Sequence, residues 1–282
     1  MSDRRFIVRR GESGYPQSLE STPDPPSVLY GIGDPDALLP GLAIVGARRA
    51  TPYGLRCTRL FAGWAARVGV PVISGAAIGC DQEAHRAALD AGGPTVAVLG
   101  CGPDVDYPRR SSALLRQMRH EHVVIAEYPF GADPTRWSFV RRNRIIAGLA
   151  RAVLIVEAGL PSGTFTTADA ALDAGRDVLT VPGSIFSPES RGSNRLIRQG
   201  ATPVTDIAEI ALALGVDGTG HSPDLQRPEG DAALRALTAD PLRPDDLARV
   251  LGIDIVSTAR TLGALEARGL IARYPDGRYG IA

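Results

Sequence analysis

Six short apolar runs constrain the fold of this chain more than any other feature. They are Leu42 to Val45, Val70 to Ile73, Thr95 to Leu99, Val123 to Ala126, Ala152 to Val156 and Val178 to Val181. Each is four or five residues long and rich in β-branched side chains. A strand with one wet face alternates apolar and polar residues, whereas an unalternating run has both faces covered. Between the runs lie stretches patterned as helices: Tyr53 to Val68, Asp81 to Ala91, Ala113 to Arg119, Phe139 to Leu149 and Thr166 to Ala174. Repeated strand and helix predicts an α/β fold, an extended Rossmann-like, doubly wound and mostly parallel sheet.

The flanks read differently. A length of 282 residues suits one large domain and one small one. Residues 1–40 are rich in proline and glycine and predict an irregular lead-in with one short strand at Val28-Leu29-Tyr30. The main domain is expected over 41–214. Residues 215–230 have no periodicity and predict a linker. In 231–282, three helical stretches precede Leu270 to Tyr274, a Pro-Asp-Gly277 turn and Arg278 to Ile281. Three helices and a hairpin predict a small C-terminal winged-helix domain.

Composition removes several classes of chemistry. No run of about 18 apolar residues exists, and the first ten residues are charged, so neither a membrane helix nor a secretory signal is expected. The cytoplasm is the default compartment. Cys57, Cys80 and Cys101 are scattered and odd in number, unlike a disulfide framework or a zinc site. No metal or cofactor is expected. The net charge is +0, and the 31 basic residues are all arginine. A lysine nucleophile or Schiff base is therefore excluded. Every cationic contact must be a planar guanidinium, which forks onto phosphate and stacks on bases.

In a parallel sheet the strand C-termini share one edge, where ligands bind. The first run is followed by Gly46-Ala47-Arg48-Arg49, the second by Ser74-Gly75 and Gly79, the third by Gly100 and then Arg109. Arg136 follows the fourth, Ser162-Gly163-Thr164 the fifth, and Pro182-Gly183-Ser184 the last. Small residues let backbone N–H groups approach an anion, and Arg48, Arg109 and Arg136 add charge. The first turn is not Gly-x-Gly-x-x-Gly, and Ser74 stands where a dinucleotide enzyme has an acid. No Gly-x4-Gly-Lys loop is present. The stretch from Arg136 to Arg144 holds four arginines (Arg136, Arg141, Arg142 and Arg144) with Trp137 and Phe139. Arginines that follow a backbone and rings that stack on bases suit a single strand. Asn143 and a flanking arginine are alternatively expected to point inward and order the loops. Asp81 and His85, four apart on a helix, are expected to pair structurally.

These residues resemble the DNA-processing protein A family (DprA, also called Smf). The resemblance rests on Val-Gly-Ala-Arg48 with Tyr-Gly54, Ser74 to Asp81 with Ala84-His85, Asp106-Tyr-Pro108, Phe139-Val-Arg-Arg-Asn-Arg-Ile-Ile-Ala-Gly148, Ser162 to Ala168, Val181-Pro-Gly183, and Gly192 with Asn194. It implies a Rossmann-like domain that binds single-stranded DNA, dimerises through that domain and delivers the strand to a RecA-type recombinase. The implied setting is natural transformation and homologous recombination, without enzymatic activity. By position Arg48 resembles the family's pocket arginine, Arg136 a DNA-contacting lysine and Phe139 a base-contacting aromatic. Members often carry Asn three residues after Tyr-Pro, where this chain has Ser111.

Together the expected DNA contacts are Gly46, Arg48, Ser74, Gly75, Gly79, Arg109, Arg136, Phe139, Arg142, Asn143, Arg144, Ser162, Gly163 and Thr164. In the winged helix, Arg260 and Arg268 are candidates for duplex contact; a protein-interaction role is the other reading. Two further functions compete. One is a phosphoribohydrolase acting on nucleotides, although Pro161-Ser-Gly-Thr lacks the glutamate that should follow. The other is a transcription regulator with a ligand-sensing Rossmann domain.

Overall fold

The computed structural model describes residues 4–216 and 232–281. The chain forms two compact units, Met1–Gly220 and His221–Ala282. The expected linker at 215–230 falls, after residue 216, outside the described residues.

In chain order the first unit contains β1 (Arg5–Arg9), α1 (Gln17–Glu20), β2 (Val28–Ile32), β3 (Gly41–Val45), α2 (Pro52–Arg67), β4 (Val72–Ser74) and α3 (Cys80–Asp90). β5 (Thr95–Leu99), α4 (Ser112–Glu121), β6 (Val123–Ala126), α5 (Arg136–Leu149) and β7 (Ala150–Ile155) follow. The unit closes with α6 (Thr164–Asp173), β8 (Asp177–Thr180), α7 (Arg191–Arg198), β9 (Thr202–Pro203) and α8 (Ile207–Leu214). Among the described residues the sheet has nine strands, ordered β1-β2-β6-β5-β4-β3-β7-β8-β9. From β6 to β9 all neighbours are parallel.

The runs lack alternation because both faces are covered. On β3, Ala43 and Val45 face the core shared with Ile145, Ile146 and Ala168, while Leu42 and Ile44 face the core around Phe61, Trp64 and Ala84. α5 and α6 therefore cover one face, and α2 and α3 the other. Each fully buried Leu, Ile or Val contributes about 1.5–3 kcal/mol before entropy is counted. α4 packs over Leu99 and Ala126 through Leu115 and Met118.

The lead-in is more regular than its composition predicts. β1 and β2 pair antiparallel, and β2 continues antiparallel onto β6. Only Val8 of β1 is buried, so an edge strand with charged residues on its open side passes for loop in sequence. Between the two strands, the Tyr15 hydroxyl donates to Pro26 O at 2.6 Å and ties the connecting segment down.

The second unit contains α9 (Ala232–Ala239), α10 (Pro244–Leu251), α11 (Ile255–Ala267) and the hairpin β10 (Ile271–Arg273) and β11 (Tyr279–Ile281). Leu237, Leu247, Leu262, Leu265 and Ile271 form its core. This is a winged helix.

Candidate functional site

Strand order reverses between β3 and β7: the chain runs from β3 outward through β4 and β5, then returns through α5 to β7 on the other side. The loops after two such strands diverge and leave a crevice at their carboxyl ends. A groove of about 390 Å³ lies there, lined by Gly46, Arg48, Asn143, Ser162, Gly163 and Thr164 among others. A smaller cavity of about 120 Å³ adjoins it and shares Arg48, Phe139 and Arg142 with it. Its other walls include Gly100, Cys101, Tyr107 and Pro108.

Helix α5 supplies one wall, and its start is set locally. The Thr135 hydroxyl accepts from Ser138 N, and the Ser138 hydroxyl accepts from Thr135 N, both at 3.1 Å. This capping box satisfies two N-terminal donors and fixes where the helix begins. Arg136 is its first residue and is exposed; Trp137 is 81% exposed. One turn on, Phe139 is half-buried and stacks on Tyr107, with centroids 5.2 Å apart and planes 30° from parallel.

Arg142 points inward. It is 5% exposed, donates to Gly75 O at 2.8 Å and also donates to Val98 O. Asp81, equally buried, accepts from Gly75 N at 3.2 Å. Burial raises the Asp81 carboxyl above the ordinary carboxylate range, and the Arg142 charge opposes that shift. Burial likewise lowers the Arg142 guanidinium, opposed by Asp81. Arg142 ties the turn after β4 to strand β5 under the groove, and Asp81 holds the same turn to the start of α3. A Cβ at Gly75 would collide with the Arg142 guanidinium, so the glycine is needed for that approach. Gly79 has φ +93° and packs against the Arg48 loop, where a Cβ would strike Ala47 O. Asn143 donates to the Thr166 hydroxyl at 2.7 Å and so links α5 to α6.

The remaining expected residues divide. Arg48 is exposed, lines both cavities and has no ion-pair partner among the described residues. The Ser162 and Thr164 hydroxyls lie 2.6 Å apart at the start of α6, and Gly163 sits between them. Arg109, after β5, and Arg136, at the first position of α5, are exposed but line neither of these two cavities. Ser74 turns away: its hydroxyl donates to Ile44 O at 2.6 Å and ties β4 to β3. Arg144 is placed outside the group, where it pairs with Glu127 at 2.5 Å and with Asp24 at 2.9 Å. Asp81 and His85 do not pair. His85 Nδ1 lies 2.7 Å from the Thr95 hydroxyl, which itself donates to Val72 O, so the ring donates to it. Sequence reasoning missed the Tyr107 ring as a member of the site. Its partner is 32 residues downstream, and no local pattern joins the two.

Other carboxylates are engaged. Glu157 accepts from Thr51 N at 2.7 Å and from the Thr51 hydroxyl at 2.6 Å, bracing the start of α2. Burial raises its pKa, with the Thr51 bonds opposing. Glu127 holds Arg141 and Arg144. Among the described residues no His, Cys, Asp or Glu group is arranged to hold a metal ion, and no helix is long and apolar enough to cross a membrane. The arrangement offers guanidinium, backbone and hydroxyl donors beside an aromatic pair.

Residues 6–227 match the family described as DNA recombination-mediator protein A. The chain belongs to that family. Residues 221–277 match the DprA winged helix domain, in keeping with the second unit. Protein Smf of Escherichia coli is 39% identical over 280 residues, spanning 93% of this chain and 74% of that one. DNA processing protein A from Streptococcus pneumoniae has a solved structure that is 36% identical and matches with a TM-score of 0.70 over 73% of each chain. The DNA processing protein A of Helicobacter pylori, studied for its single-stranded DNA binding mode, is 28% identical with a TM-score of 0.68. That match covers 75% of this chain and 96% of that one. In this DNA recombination-mediator protein A member, the winged helix carries Asp254 at the N-terminus of α11, accepting from Val256 N at 2.9 Å and Ser257 N at 3.0 Å. Arg260 and Arg268 are exposed on and just after the same helix.

Proposed function

We propose that this protein binds single-stranded DNA in the groove at the β3–β7 crevice and delivers it to a RecA-type recombinase, serving natural transformation and homologous recombination. The observation that carries the reading is Arg48, exposed and without an ion-pair partner among the described residues, lining one cavity with the stacked Tyr107–Phe139 rings beside the groove. A cation for the backbone and rings for the bases are what an unpaired strand requires. The single-strand binding studied in the Helicobacter pylori relative supports it. Arg48, Arg136 and Phe139 are the proposed direct contacts. Gly46, Arg109, Ser162, Gly163 and Thr164 complete the edge on which the strand runs. Arg142, Asn143, Gly75, Gly79 and Ser74 act behind it as positioning residues.

The protein works by binding rather than by turnover, as a homodimer through its Rossmann-like unit. Pro161-Ser-Gly-Thr is followed by Phe165, not by the glutamate a phosphoribohydrolase uses. For the winged helix, the Asp254 carboxylate already occupies the α11 N-terminus, which favours protein contact over duplex contact by Arg260 and Arg268. Removing residues 231–282 should then leave duplex affinity unchanged; a loss would restore the duplex reading.

The deciding experiment is a gel-shift titration of the full chain with single strand and with duplex across a salt series. Preference for the single strand with a salt-dependent affinity is expected. Equal affinity for both, or release of free base from AMP, would overturn the proposal.

A further inference from the structure

We infer that the loop 182–187, with Phe186 at its tip, is a second stacking platform, on which a strand leaving the Arg48 groove lays a base. This rests on the single-strand reading above. Phe186 is 88% exposed and Ile185 79% exposed, side by side. Two adjacent large apolar side chains turned to water mark a surface that something covers.

The loop is not slack. The Tyr53 hydroxyl donates to Pro182 O at 2.8 Å. The Asn194 side chain accepts from Gly183 N at 3.2 Å and donates to Gly183 O at 3.0 Å. Phe186 N donates to the Ser184 hydroxyl at 3.2 Å, Ser187 N to Ser184 O at 3.1 Å, and the Ser187 hydroxyl to Glu189 at 2.9 Å. A ring presented on a backbone already held in place loses little freedom on binding.

Its position continues the groove. The loop leaves β8 at the same sheet edge, two strands from β3. Behind it, Gly192 N donates to Ala158 O at 2.7 Å, and a Cβ on the groove residue Gly159 would lie 3.6 Å from Pro188 O. Tyr53, which bonds to the loop, is the second residue of α2, four residues after Arg49. Two exposed arginines lie on neighbouring segments: Arg49 on the turn before α2 and Arg191 at the start of α7, four residues after Ser187. Neither has an ion-pair partner among the described residues. The nearby Glu189 carboxylate accepts from Ser187. An exposed ring on a held loop at the edge that carries the Arg48 groove fits a polyanion with exposed bases.

The test uses the full chain with homothymidine strands of about 4 and about 16 nucleotides, the span of site sizes for such binders. The shorter strand fills the groove; the longer one reaches the loop. Phe186→Ala should weaken binding of the longer strand by about fivefold or more and leave the shorter one unchanged. The salt slope should stay as it was, because no phosphate contact is lost. Phe186→Trp should bind like the unaltered chain. Equal affinity of Phe186→Ala and the unaltered chain for the longer strand overturns the inference, as does an equal loss on both lengths. An altered oligomeric state with strand affinity kept makes the loop a contact between copies and also overturns it. Failure of the unaltered chain to bind either strand overturns the single-strand reading, and the inference with it.

Discussion

The ring of Tyr107 lies against the ring of Phe139, 5.2 Å between centroids, and joins the loop after β5 to the first turn of α5. The pair walls the smaller cavity, and Phe139 also lines the larger groove. Offset stacking of this kind holds both rings in place before a ligand arrives.

Removing one ring should therefore weaken strand binding directly. Base–aromatic stacking is worth about 1–3 kcal/mol per base, so Phe139→Ala should raise the Kd for single-stranded DNA by roughly 5- to 150-fold. Phe139→Tyr should bind nearly as the unaltered chain does. Fluorescence-anisotropy titration reads both, and an unchanged Kd for Phe139→Ala would remove the ring from the binding site.

The arginines should act through salt dependence. Each phosphate contact on a single strand contributes about 0.7 to the slope of log affinity against log salt. Arg48→Ala and Arg136→Ala should each lower affinity and flatten that slope by about this amount. Arg144→Ala should leave the slope unchanged, since its guanidinium is held by Glu127 and Asp24.

Arg142 should matter for stability before it matters for binding. Removing a buried donor leaves its acceptors unsatisfied at a cost of about 1–3 kcal/mol. Arg142→Met removes the donor to the carbonyls of Gly75 and Val98 and the charge that opposes the raised Asp81 pKa. A urea unfolding curve should show a loss of this order, and strand affinity should fall as the loops come apart. A stability equal to the unaltered chain would mean the loops are held by other contacts.

His85 gives the first unit an acid-sensitive term. Burial lowers its pKa from 6.5 to about 3, so the folded protein keeps the ring neutral while the unfolded chain protonates it. The unfolded state binds the extra proton as pH falls below about 6.5, and folding stability declines by roughly 1.4 kcal/mol per pH unit down to about pH 3. Unfolding midpoints between pH 7 and pH 4 should fall more steeply for the unaltered chain than for His85→Gln. Parallel curves would show that the ring does not set this dependence.

Much of this architecture is legible in the sequence, for identifiable reasons. Leu42 to Val45 lacks alternation because helices cover both faces of β3, so the parallel sheet and the edge carrying Arg48 followed from one pattern. β1 did not, because only Val8 is buried and its charged neighbours resemble loop. Arg142 and Arg144, two residues apart, differ in fate because one meets Gly75 O and the other meets Glu127. Those partners come from distant parts of the chain, and spacing along α5 cannot name them. Ser74 was placed on the right edge, but its hydroxyl turns toward Ile44 O inside the sheet.

The crevice between β3 and β7 also imposes an order in time. Its walls come from residues 46–48, 139–143 and 159–164, brought together only when β7 has docked beside β3. A chain emerging from the ribosome carries Arg48 long before it carries Ser162, and contacts so far apart form late in folding. The groove therefore cannot hold its ligand until the chain through Thr167 has emerged and β7 has docked beside β3.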